Sequence, residues 1–127
     1  EEVMALTQGN YQGDWLLQEF GAPNHCRKEV TIKIGEDLVS GTVLAADSGG
    51  DGSWVAFEDD TDTTALGILL NDCDATAAAQ TNVPVICRGP VTVSKAGLTW
   101  HADNDATDIT NGLADLLALG IVAVEGV

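Results

Sequence analysis

The residues that could hold a metal or attack a substrate are few in this chain, and their spacing matches no common motif. The histidines are His25 and His101, and the cysteines are Cys26, Cys73 and Cys87. Structural zinc sites take their ligands from close pairs such as CxxC or HxxxH, and the sequence contains no two such pairs. The spacing therefore does not predict a zinc site. The alternative is a zinc site in which folding brings together these two histidines and three cysteines. Any disulfide pairing of three cysteines leaves one thiol unpaired, which argues against a disulfide framework and indicates that the protein folds in a reducing cytosol.

Two acidic stretches carry the oxygen ligands that calcium prefers, DNDATD at residues 103–108 and DDTD at residues 59–62. A calcium loop of the EF-hand type also needs a glycine at its sixth position and a distal bidentate glutamate, and the first stretch has neither. No P-loop, GxGxxG or GxSxG motif occurs, so no phosphate cradle or activated serine is indicated. We therefore expect no cofactor and no enzymatic activity, with a weak calcium site at either stretch as the alternative.

The net charge restricts the class of partner. The chain has 20 acidic and 5 basic residues, which give a formal net charge of −15. A field of this sign repels phosphate groups, and we therefore predict no direct binding to nucleic acid or to an anionic membrane. The longest apolar runs, residues 66–70 and 116–124, fall well short of the roughly 20 residues that cross a bilayer. The acidity is typical of a soluble surface or of a protein from a high-salt environment, and the alternative is a surface that meets a basic partner.

Short strands separated by turns are predicted from Glu29 onward, and they would form the framework for these side chains. Apolar and polar residues alternate over residues 30–34, which is typical of a half-buried strand. Residues 65–70 are apolar throughout and predict a strand buried on both faces. Gly41 marks a bend within a strand at residues 38–46. Further strands are predicted at residues 53–58, 83–87, 91–94 and 121–124, and a polar loop is predicted at residues 71–82.

One helix is predicted near the C-terminus, at residues 105–119. Its apolar residues at positions 109, 113, 116 and 117 have helical spacing. Asp105 or Thr107 would serve as the N-cap, and Gly120 lies where the residue after a helix belongs. The predicted fold class is therefore mainly β with one C-terminal helix (α+β), in the form of a small compact β domain with an extended N-terminal arm.

Residues 1–28 differ from the rest of the chain, and we predict an N-terminal arm there, followed by a β-rich domain at residues 29–127. Glycines and a proline interrupt the segment, and its large apolar residues follow no sustained period. A short helix could form over residues 14–20 with Asp14 as its cap, although two turns are marginal alone. The residues predicted to bind a partner are Val3, Met4, Leu6, Tyr11, Trp15, Leu16, Leu17 and Phe20. The alternative is an irregular segment that folds onto its own domain.

Several stretches follow one another in a characteristic order from Arg27 onward. They are RKEVTI at residues 27–32, LVSGTVLA at 38–45, SWVAF at 53–57, DTD at 60–62, ALGILL at 65–70, DCDATA at 72–77, VICRGPV at 85–91, LTW at 98–100 and LALGIV at 117–122. No single stretch is specific. Their joint order and spacing over residues 27–124 resembles the head decoration proteins of tailed bacteriophages, the family typified by the capsid-stabilising protein of phage lambda.

The resemblance implies a structural protein of the virion, made in the host cytoplasm and located on the outer surface of the capsid head. It implies a homotrimer at the three-fold positions, which binds the major capsid protein after the shell expands and strengthens the shell against the packaged DNA. Members of this family use their N-terminal region against the capsid protein, often by adding a strand. The alternatives are another virion β-protein of the tail or baseplate, a module that binds the host surface, and a small metal-dependent enzyme.

Overall fold

A computed structural model describes residues 15–19, 26–47, 52–58, 64–102 and 104–125. Within these ranges the strands are β1 Leu16–Glu19, β2 Arg27–Ile32, β3 Asp37–Leu38, β4 Val43–Ala46, β5 Trp54–Ala56, β6 Gly67–Leu69, β7 Cys73–Asp74, β8 Gln80–Ile86, β9 Val91–Ser94 and β10 Ile121–Val124. The helix α1 spans Ala106–Ala118, and a short 3-10 turn spans Lys95–Gly97. The predicted fold class, mainly β with one C-terminal helix, is confirmed.

Five strands close into a barrel in the order β2-β5-β4-β6-β8. Neighbouring strands are antiparallel, except that β2 and β5 run parallel where Ile32 lies beside Trp54. Each barrel strand contributes one or two side chains to one apolar cluster, because successive side chains of a strand point to opposite faces. The members of this inner cluster are Val30, Ile32, Leu44, Trp54, Leu69, Cys73, Ala75, Val83 and Val85. The closed sheet gives the domain a filled, rigid centre.

A second sheet and the helix cover one side of the barrel. β9 lies between β1, which is antiparallel to it, and β10, which is parallel to it. The outer cluster joins these elements to the outward faces of β4, β6 and β8, and its members are Trp15, Cys26, Val43, Ala45, Phe57, Ala65, Ile68, Leu70, Ile86, Val91, Val93, Leu98, Leu116 and Ile121. In β6, Ile68 belongs to the outer cluster and Leu69 to the inner one. The predicted burial on both faces is confirmed, although the strand spans Gly67–Leu69 and not the whole of residues 65–70.

The ends of α1 are fixed by the residues that the sequence indicated. The Asp105 carboxylate accepts a hydrogen bond from the Asp108 N–H at 2.9 Å, and the Asp108 carboxylate accepts one from the Asp105 N–H at 3.0 Å. This reciprocal capping box makes Asp105 the N-cap. Gly120 has a φ of 91°, which is the left-handed conformation of a residue that ends a helix. Both predicted termini are confirmed, with Asp105 and not Thr107 at the start.

Two predicted elements of the β domain differ from the structure in more than the positions of their ends. The polar stretch at residues 71–82 contains β7 and the first residues of β8, so the predicted loop was too long. β7 has two residues and pairs only with β3, and so short a strand leaves no periodic signal. β8 begins with three exposed polar residues, which pairing with β2 holds in the ladder. The predicted strand at residues 38–46 is divided into β3 and β4, with the break at Gly41, where φ is 91°.

Candidate functional site: the N-terminal strand and its anchor

The structure describes part of the segment that was predicted to bind a partner. Trp15 is fully buried, Leu16 packs partly buried against the outer cluster, and Leu17 is 37% exposed. The other predicted contact residues, Val3, Met4, Leu6, Tyr11 and Phe20, lie outside the described residues. Trp15 and Leu16 therefore face the domain and Leu17 faces solvent. Partner contact by this segment stays a prediction, as does the boundary between arm and domain at residue 28.

The indole of Trp15 is held by a short chain of hydrogen bonds. Its Nε1–H donates to Ser40 Oγ at 2.9 Å, and the Ser40 hydroxyl donates to the Leu70 carbonyl oxygen at 2.6 Å. The Ser40 backbone N–H donates to Asp72 Oδ1 at 2.8 Å. A buried indole N–H needs an acceptor because leaving it without one costs free energy. Ser40 supplies this acceptor, and Asp72 fixes the backbone of Ser40, so Trp15 has one defined position. We call Trp15, Ser40 and Asp72 the anchor.

Gly41 lets the chain between β3 and β4 close over the indole. A Cβ atom at this position would lie 2.9 Å from Trp15 Cδ1 and 3.1 Å from the Gly97 carbonyl oxygen. The φ of 91° is also a conformation that only glycine adopts at little cost. The Gly41 N–H donates to the Leu69 carbonyl oxygen at 2.8 Å. Glycine at this position therefore fits both the backbone and the tryptophan that packs on it.

β1 continues directly from Trp15 as an outer strand of the sheet β1-β9-β10. Leu16 lies opposite Val93 and Gln18 opposite Thr92, with a shift of register between Leu16 and Gln18. Such a bulge breaks the alternation of inward and outward side chains. The sequence Leu-Leu-Gln-Glu consequently lacks the pattern of a strand, and the short helix considered for residues 14–20 is wrong at Leu16–Glu19, which is extended. Trp15 and β1 together fix where residues 1–14 join the domain.

None of the three cysteines forms a disulfide, although Cys26 and Cys87 are neighbours, with the Cys87 N–H donating to the Cys26 carbonyl oxygen at 2.9 Å. Cys26 is buried in the outer cluster, with its Sγ 3.7 Å from the Pro90 carbonyl oxygen. Cys73 is buried in the inner cluster. Burial raises the pKa of the Cys73 thiol, and the negative charges of Asp74 and Asp37 raise it further. A raised pKa keeps the thiol protonated and weakly nucleophilic. Cys87 is half-buried.

The structure describes one of the two histidines and part of one acidic stretch. His101 Nδ1 lies 3.2 Å from Glu58 Oε2, while His25 lies outside the described residues. Asp105 and Asp108, from the first acidic stretch, use their carboxylates in the helix cap, and residues 59–62 lie outside the described residues. Among the residues that the structure describes, no three His, Cys, Asp or Glu side chains are grouped so that they could hold a metal ion.

The described surface has several depressions that are partly open to solvent. One, of about 330 Å³, lies at the start of β2 and is lined by Arg27, Lys28, Glu29 and Pro84. Lys28 Nζ lies 5.7 Å from the centroid of the Trp54 ring, a cation–π contact. These side chains can bind polar groups but include no nucleophile with a base beside it. Of the helices that the structure describes, none is long and apolar enough to span a bilayer.

Comparison with known proteins identifies the family. Curated protein sequences give no significant match to the chain. The family of the bacteriophage lambda head decoration protein D matches residues 5–121. This range takes in the barrel, β1, β9, the helix and most of the segment before Trp15, and it ends at the first residue of β10. It extends further toward the N-terminus than the stretches that carry the resemblance from residue 27. The chain therefore belongs to the bacteriophage lambda head decoration protein D family, structural proteins of the phage capsid.

Proposed function

We propose that this chain binds the major capsid protein as a homotrimer at the three-fold positions of the expanded phage head, and that it strengthens the head against the pressure of packaged DNA. The family match over residues 5–121 carries the proposal. The protein would be made in the host cytoplasm and would lie on the outer surface of the head. It would have no catalytic activity and would bind neither nucleic acid nor membrane directly, in keeping with its net charge of −15.

A closed barrel suits a protein that adds mechanical strength. Every strand of the barrel pairs with two neighbours, so the barrel leaves no strand edge open to pairing with another chain. Its interior is filled by large apolar side chains, among them Ile32, Leu44 and Leu69, each fully buried. Close-packed interiors have low compressibility and transmit strain. The domain can therefore act as a stiff body that is attached to the shell through other parts of the chain.

The segment before Trp15 is proposed as the main attachment to the capsid protein. Val3, Met4, Leu6 and Tyr11 are its large apolar residues, and their aperiodic spacing suits strand addition. In this mode main-chain hydrogen bonds supply affinity with little demand on side-chain identity. The acceptor strand would exist only on the expanded shell, which would couple attachment to maturation. Trp15 would act by fixing the starting point of this segment on the domain.

Three such attachments in one trimer would reinforce each other. Linked binding segments raise the effective concentration of the second and third contacts once the first has formed. A modest free energy per segment then gives stable attachment of the trimer. Leu17, which is exposed beside the anchor on β1, would extend the contact onto the domain.

Co-sedimentation with phage heads tests this function. Purified full-length protein is mixed with heads that lack decoration, either expanded or unexpanded, and the bound protein is measured against concentration. We expect saturable binding to expanded heads alone, and this binding should survive moderate salt because apolar burial is not screened as surface charge is. Equal binding to unexpanded heads, or binding to purified tails but not to heads, would contradict the proposal.

A further inference from the structure

The side of α1 that faces solvent carries no charge. Its exposed residues are Ala106, Thr107, Thr110, Asn111, Ala114, Leu117 and Ala118. The charged residues of α1 are Asp108 and Asp115, and both serve the domain. Asp108 is 8% exposed, and Asp115 Oδ2 accepts a hydrogen bond from the Ala65 N–H at 3.0 Å. Surface helices usually place charged residues on the solvent side, and this chain has 20 acidic residues with which to do so.

An apolar stripe runs from the buried side of α1 onto this uncharged side. Leu116 is fully buried, whereas Leu117 is 59% exposed. Ile109 and Leu113 are half-buried and lie two turns and one turn before Leu117, on the same flank of the helix. The stripe is therefore wider than the contact that α1 makes with its own domain. An apolar surface of this kind on a soluble domain is typical of an interaction site.

The strand that follows α1 adds to the exposed apolar surface. Val122 in β10 is 42% exposed, while its neighbour Ile121 is buried against the outer cluster. β10 is an outer strand of its sheet and packs on α1. Leu117 at the end of α1 and Val122 in β10 are thus two exposed apolar side chains on elements that pack against each other.

Electrostatics favours a second copy of this chain as the occupant. Each copy carries a formal charge of −15, so two copies repel one another. A contact through an acidic face would bring carboxylates together away from water, whereas a contact through an uncharged face would not. A basic partner would instead be attracted to the acidic surfaces. We infer that the uncharged face of α1, centred on Leu117, is the surface through which copies of this chain contact one another. This inference rests on the proposed homotrimer.

Sedimentation velocity of the full-length protein over a range of concentration and salt tests the inference. The variants are Leu117→Asp and Ala114→Glu, which place a carboxylate on the face, and the matched control is Ile34→Asp. Ile34 is 55% exposed in the turn between β2 and β3. We expect both α1 variants to raise the concentration needed for association at least roughly tenfold, with no change for the control. Salt should strengthen association of the unmodified protein, because it screens repulsion between the copies.

The outcomes separate this inference from the proposed function. Circular dichroism verifies folding, and if Leu117→Asp is unfolded, Ala114→Glu decides, because Ala114 is exposed. An unmodified protein that is monomeric at all concentrations would overturn the inference, as would α1 variants that associate normally. Variants that associate normally but no longer bind expanded heads would assign the face to the capsid protein, which overturns the inference and keeps the proposed function. Association through this face without any head binding would support the inference and contradict the function.

Discussion

Deletion of residues 1–14 is expected to abolish attachment to expanded phage heads while the domain stays folded. The deletion ends before Trp15, so it leaves every described member of the outer cluster in place. It removes large apolar side chains whose burial would contribute about 1.5–3 kcal/mol each, against an ordering cost of about 1–2 kcal/mol per residue. We expect the head affinity to fall at least about 100-fold, which corresponds to about 2.8 kcal/mol. Co-sedimentation measures the affinity, and circular dichroism measures the fold.

A variant of unchanged length is the control for this deletion. Replacing Val3, Met4, Leu6 and Tyr11 with serine keeps the length of the segment and removes its large apolar side chains. If these side chains carry the contact, this variant loses affinity to a similar extent as the deletion. If the truncated protein saturates heads at the same concentration as the full chain, the β domain carries the attachment and the proposed role of the segment is wrong.

Replacement of Trp15 by alanine is expected to lower the free energy of unfolding by about 3–5 kcal/mol, the usual cost of removing a large aromatic side chain from a core. Trp15 is fully buried, and its loss leaves a cavity beside Gly41 and takes away the hydrogen-bond donor to Ser40. Urea unfolding measures the change. Leu17→Ala is the matched control, because Leu17 is two residues away and 37% exposed, and it should cost less than about 1 kcal/mol.

A double-mutant cycle isolates the hydrogen bond at the anchor. Trp15→Phe removes the indole N–H and Ser40→Ala removes its acceptor. We expect a coupling free energy of about 1 kcal/mol between the two changes, since a typical net hydrogen bond is of that size.

A cost of less than about 1 kcal/mol for Trp15→Ala would show that residues 15–19 are not held in the core in solution. Residues 15–19 would then behave as part of the predicted arm at residues 1–28.

Much of the fold follows from local patterns in the sequence. Residues 65–70 are apolar at every position because β6 lies between two clusters, with Ile68 on one side and Leu69 on the other. The helix could be located by its apolar spacing, by the cap at Asp105 and by the glycine at 120. In each case the residues that form the pattern lie close together in the chain, so the pattern is visible in the sequence.

The anchor could not be predicted because it depends on distant residues. Nothing near Trp15 in the sequence indicates that Ser40 accepts its hydrogen bond or that Asp72 positions Ser40. The bulge in β1 removes the alternation that would reveal a strand. A large aromatic residue in an aperiodic segment suits a partner surface or the core equally well, and tertiary packing decides between them. Ser40, Gly41 and Asp72 are therefore the residues of the site that sequence reasoning missed.

The prediction that the segment attaches the protein to the capsid rests on a different kind of observation from the prediction of the fold. The composition of residues 1–28 indicates a segment unlike the domain, but it does not indicate what the segment binds. The capsid protein was inferred as the partner from the order of motifs between residues 27 and 124 and from the family match over residues 5–121. The residues themselves form no recognisable catalytic motif, and the lack of such a motif does not indicate which partner the protein binds. The capsid is inferred as the partner from membership of the family. The structure adds the point at which the segment joins the domain.

Cryo-electron microscopy of expanded heads saturated with the full-length protein tests the central claim most directly. The proposal predicts added density on the outer surface at the three-fold positions, with three copies at each position and their barrels standing outside the shell. It also predicts density for residues 1–14 running from Trp15 onto the major capsid protein. Heads whose surface is unchanged, or added copies that stand singly at positions other than the three-fold axes, would contradict the account.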